Sequence, residues 1–214
     1  MNVRLVVAAA FALGIPGRSF AQDFPERVSK EARIALERIV DSARAMRLPT
    51  EPLVAKAAEG VLKGADDARI VKVVRALLHD MDDARAALPP GAATGTLTAA
   101  ASALRAGVSR ETLRRLAAAG GGAGATESEL AIALITLADL AASRVPPQRA
   151  GEAVELLLSR RASVVAMFAF REGVARDIQS GATPDAALAS RMQGAMRTLD
   201  GRPAVSPVKP ISPP

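Results

Sequence analysis

From Val28 to Leu199 the apolar residues of this chain recur at spacings of three and four, and no stretch alternates apolar with polar residues between turn signals. A three-to-four spacing lays one apolar stripe along a helix, whereas a half-buried strand needs a period of two. The expected fold class is therefore all-α, with no β-sheet. The first segment, 28–46, sets Val28, Ala32, Ala35, Ile39 and Met46 on one face and Glu31, Arg38 and Arg44 off it. It stops ahead of Pro49, because the residue before a proline is pushed out of the α region.

Further segments follow at about 50–63, 67–87, 96–106, 109–119, 126–143, 147–159, 162–179 and 184–199. Their boundaries rest on capping and breaking residues. Asp66 and Ser109 can cap, Thr126 with Glu129 forms a capping box, Thr183-Pro184 opens the last segment, and Pro89-Pro90-Gly91 closes the third. The run Gly120–Gly124 is expected to be a flexible break. Two stretches, 130–142 and 162–170, are apolar on nearly all sides and are expected at the centre of the fold. Both are too short to span a bilayer, which needs about 20 apolar residues.

An internal repeat accompanies this periodicity. Sliding the chain by 60 residues lays 48–80 over 108–140 and matches Glu51 with Glu111, Leu53 with Leu113, Gly60 with Gly120, Gly64 with Gly124 and Leu77 with Leu137. A smaller pattern recurs at 47–51, 64–67, 107–111, 144–147 and 181–185. A Gly or long side chain closes one helix, an apolar residue follows, and a capping or first-turn residue opens the next. The expected architecture is a multi-helix array of helix-turn-helix repeats; an irregular α-helical bundle is the alternative.

The two ends differ from this domain, which spans 22–200. Residues 1–21 carry Arg4, an apolar run and the small residues Ser19 and Ala21, the layout of a secretory signal peptide cleaved after Ala21. The expected location is the periplasm or the medium, with no transmembrane segment left after cleavage. A leader this short, joined to an Ala- and Arg-rich composition, looks bacterial. Residues 201–214 hold five prolines and are expected to form an extended, Pro-rich, disordered tail.

Composition narrows the chemistry. The chain has no Cys, Trp or Tyr and a single His, so disulfides, thiol nucleophiles and cysteine-ligated metals are excluded. Its net charge is +6, and +4 once Arg4 and Arg18 leave with the leader. The basic spots at Ser159-Arg160-Arg161 and at Arg110, Arg114 and Arg115 lack the aromatic residues that stack on nucleic acid, so no nucleic-acid partner is expected. No Gly-x-Ser-x-Gly elbow occurs, Gly120–Gly124 lacks the Lys-Ser/Thr ending of a phosphate loop, and no cofactor is expected.

Two candidate sites remain. His79, Asp80, Asp82 and Asp83 stand within one helical turn, where a divalent metal could be gripped if further ligands came from elsewhere. The first helices of the repeat units carry Glu51, Lys56, Glu111 and Arg115, a candidate surface for an envelope protein or an anionic surface. The leading expectation is a non-catalytic binding or scaffolding module of the envelope; a divalent-metal-responsive periplasmic protein is the alternative.

Overall fold

The computed structural model describes Phe24 and residues 27–201; residues 1–21, expected to be a signal peptide, and the expected tail beyond Gly201 lie outside the described residues. The described chain is all-α and contains no strand. Its helices are α1 (Lys30–Ala45), α2 (Glu51–Leu62), α3 (Asp67–Arg85), α4 (Thr94–Arg105), α5 (Arg110–Ala123), α6 (Glu127–Ala142), α7 (Pro147–Ser159), α8 (Val164–Gln179) and α9 (Pro184–Leu199).

One turn design joins most of them. Arg47, Gly64, Gly107, Gly124, Arg144, Arg161 and Gly181 all have positive φ. In every case the next residue donates its N–H to the carbonyl five positions back, from Leu48 to Ala43 (2.8 Å) through Val145 to Leu140 (3.1 Å) to Ala182 to Asp177 (3.0 Å). This left-handed closure satisfies carbonyls that the ending helix leaves without partners. The residue after it turns inward: Leu48, Val108, Val145 and Ala162 are all buried. A cap then starts the next helix. Asp66, Ser109, Thr126, Ser163 and Thr183 each accept a backbone N–H three residues on.

The spacing of these turns is regular. Gly107, Arg144 and Gly181 precede α5, α7 and α9 at intervals of 37 residues, and Gly124 and Arg161 precede α6 and α8 at the same interval. Arg47, ahead of α2, stands 60 residues before Gly107. The additional 23 residues over the 37-residue interval accommodate α4, which lies between the pairs α2–α3 and α5–α6.

Packing follows this order. One row runs α1, α3, α4, α6, α8, each helix touching the next, and a second runs α5, α7, α9. α7 also packs on α6, α9 packs on α8, and α2 packs chiefly on α3. The α4–α6 contact is the most extensive, because α4 buries Ala99, Ala100, Ala101 and Ala103. Methyl side chains let two neighbouring helices approach closely without leaving voids.

Three local expectations are corrected. Gly120 to Ala123 continue α5 rather than forming a loose break; only Gly124 leaves the helix, at φ 66°. A Cβ on Gly120 would stand 3.2 Å from Leu158 Cδ2, so its bare backbone admits α7. Of the two all-apolar stretches, the first lies in α6, which is central and buries seven residues. The second lies in α8, near the end of its row, where Met167 and Phe170 are buried but Val165 is 76% exposed. Finally, Phe168 is only half-buried, and the Arg171 guanidinium lies 5.0 Å above its ring.

Candidate functional site

The His79 cluster lies on the last turns of α3, and the structure sends its acids in different directions. Asp80 accepts the Nε–H of Arg105 at 2.9 Å, tying α3 to α4. Asp83 accepts from Arg110 at 3.2 Å, and Asp82 pairs with Arg85, whose guanidinium also caps the carbonyl of Met46. His79 is three-quarters exposed, with Nε2 3.8 Å from Asp83. Among the described residues no three His or carboxylate side chains converge as a metal site. The pairs of Asp80 with Arg105 and of Asp83 with Arg110 tie α3 to α4 and α5. Exposed ties of this sort contribute at most about 1 kcal/mol apiece.

The other four candidates separate by helix. On α5, Glu111 pairs with Arg114 at 3.5 Å, and Arg115 reaches Glu155 of α7 at 3.4 Å. Arg115 is thus engaged by the next helix of its row. On α2, Glu51 is exposed at the start of the helix and Lys56 is half-buried. Lys56 Nζ stands 2.7 Å from Glu59, which also takes Lys63 one turn on.

Two grooves border this part of α2. One, of about 340 Å³, lies against the start of α3 and is lined by Lys56, Glu59, Lys63, Arg69, Ile70 and Val73. The other, of about 350 Å³, opens toward α4 and is lined by Pro52, Lys56, Glu59, Leu77, Thr98 and Arg105. Lys56 and Glu59 belong to both. The ammonium groups of Lys56 and Lys63, hydrogen-bonded to Glu59, hold its carboxyl down at about 2. Glu59 is therefore an anion between two cations at any physiological pH.

No protein family, curated protein or solved structure matches this chain. Its functional reading therefore rests on its own geometry.

Two polar arrangements escaped the sequence reading. Ala93 precedes α4 with no capping side chain of its own, and Glu127 of α6 supplies the missing acceptor, taking the Ala93 N–H at 2.8 Å. Hydrogen bonds from Thr96 and the Ala93 backbone lower the Glu127 pKa. Arg191 of α9 forms a two-pronged pair with Asp177 of α8, the Nε bond being 2.6 Å, and lowers the Asp177 pKa. No local pattern signals either pair, since cap and acceptor lie 34 residues apart in one case and cation and acid 14 in the other.

Proposed function

We propose that this protein is an exported, non-catalytic binding or scaffolding module that holds an envelope protein or an anionic envelope surface along α2. The observation that carries this reading is the pair of grooves sharing Lys56 and Glu59. The equivalent face of α5 is covered by α7, whereas α2 packs chiefly on α3. Each groove offers an apolar floor, Ile70 in one and Leu77 in the other, with charged walls. That combination suits a ligand anchored by apolar contact and oriented by charge. The cationic excess at Lys56, Lys63 and Arg69 favours a partner with acidic groups.

Export supports the envelope as the place of action, and it rests on the leader chemistry of residues 1–21. No transmembrane-capable helix occurs among the described residues. The test is capture from envelope extract, and cosedimentation with anionic and neutral vesicles, for the protein and its Lys56→Glu/Lys63→Glu variant. Retention that the double variant loses supports the α2 surface. Equal retention by both proteins, or none by either, overturns it.

A further inference from the structure

The last helix leaves an apolar surface open. α9 buries only Ala187 and Leu188, and among the described residues no helix follows it in its row. Beside it runs a groove of about 490 Å³, floored by Leu188, Met192 and Met196 of α9 and by Ala153 and Leu156 of α7. Leu156 is 38% exposed and both methionines are half-buried. Arg149 and Glu152 rim one side, Arg197 and Asp200 the other. Unbranched methionines shape themselves to many apolar ligands.

The chain leaves α9 beside this groove. Asp200 lines it, and the next residue, Gly201, has φ 71° and bonds its N–H to the Thr198 carbonyl at 3.2 Å, a turn off the helix axis. Beyond it, residues 205–213 read Val-Ser-Pro, Val-Lys-Pro, Ile-Ser-Pro. One tripeptide pattern, aliphatic, polar, proline, is written three times. Polyproline II has three residues per turn, so Val205, Val208 and Ile211 would share one stripe, the prolines a second, and Ser206, Lys209 and Ser212 a third.

We propose that residues 205–211 occupy the α7–α9 groove of their own chain, with Val205, Val208 and Ile211 against Leu156, Leu188, Met192 and Met196. The lengths agree. Six residues of polyproline II rise about 19 Å at about 3.1 Å each, and the α9 side of the groove, from Leu188 to Asp200, is about 18 Å long at about 1.5 Å per residue. Residues 202–204 are enough chain to reverse direction after the Gly201 turn, so the segment runs back along α9. A proline-fixed backbone has little conformational freedom left to lose on docking, and a tether this short presents its segment at roughly millimolar effective concentration. A weak apolar stripe therefore suffices to seat the segment in the groove. This device is independent of the α2 surface.

Because the chain has no cysteine, a single Ser212→Cys substitution on the polar stripe accepts a nitroxide label at one defined place. In the full chain with labelled methionine methyl groups, the signals of Met192 and Met196 are expected to be lost while the nitroxide is oxidised and to return on reduction. Adding Val205→Ser, Val208→Ser and Ile211→Ser should cut the broadening markedly, to the level that a free tether leaves. Signals that persist beside the oxidised label overturn the proposal, as does broadening that the triple substitution leaves unchanged, which a tether alone would produce. Broadening in a mixture whose nitroxide and methyl labels sit on different molecules assigns the groove to a second copy and overturns it equally.

Discussion

Gly151 sits where α7 crosses α5, and its missing side chain is the reason the two helices can meet there. A Cβ at this position would fall inside the contact radius of Thr112 Cγ2. Thr112 cannot readily give way. It is β-branched, buried, and its hydroxyl and N–H both bond the Ser109 hydroxyl that caps α5, at 3.0 and 3.1 Å. Gly122, in the last turn of α5, has nothing within 4 Å of its would-be Cβ. The two glycines therefore answer alanine in opposite directions. Gly122→Ala should stabilise by about 0.5–1 kcal/mol through helix propensity. Gly151→Ala gains the same term but meets an overpacking cost of about 1–3 kcal/mol, so its net effect should be destabilising. Urea unfolding of both variants checks the pair, and equal shifts would mean that α7 can slide on α5.

The recurring turn shows what a helix-ending signal can and cannot convey. Its left-handed position holds Gly at four turns and Arg at three, Arg47, Arg144 and Arg161. A side chain in that conformation costs about 1–2 kcal/mol, which glycine avoids at some cost in unfolded-state freedom. Arg144→Gly is accordingly expected to stabilise by about 0.5–1 kcal/mol, a melting increase of roughly 1–4 °C for a chain of this size. Gly107→Ala, at φ 93°, should move the other way in the same thermal scan. Five of these seven turns are legible in the sequence, because a glycine or a long side chain, an apolar residue and a capping or first-turn residue act within five positions. The turn at Gly124 is hidden by the glycines before it, whose low helix propensity outweighs, on paper, the packing of Gly120 against Leu158. That at Arg161 is hidden because two adjacent arginines read as a charged patch. The candidate surface was legible only by half. Lys56 is visible as a polar position on a first helix, but nothing local says that α2 stays uncovered while α5 does not. The helix at 96–106 is legible, but that it packs on α3 and α6 is a matter of long-range packing. The acidic run around His79 is the converse case. Its spacing is local and visible, but that Arg105 and Arg110 of other helices pair with Asp80 and Asp83 is not.

At the scale of the molecule, the order of helix contacts decides how stability is shared. α6 touches α4, α5, α7 and α8, and buries Leu134 and Leu137 completely. Among the described residues α9 packs chiefly on α8, and on α7. In a stacked arrangement each helix draws its stability from its neighbours, so opening can begin at an end without disturbing the middle. In a closed bundle every helix shares one core, and opening one exposes all. Native-state hydrogen exchange separates the two. Leu134→Ala, in the middle, should cost about 2–5 kcal/mol and lower the protection of the most slowly exchanging amides throughout the chain. Leu188→Ala removes a side chain that is just as large and only 3% exposed, yet it should accelerate exchange in α9 and the adjoining turn of α8 while leaving α4 and α6 at their original rates. Protection lost uniformly in both variants would mean that the helices unfold as one unit, and the row would then be a description of neighbours rather than of energetics.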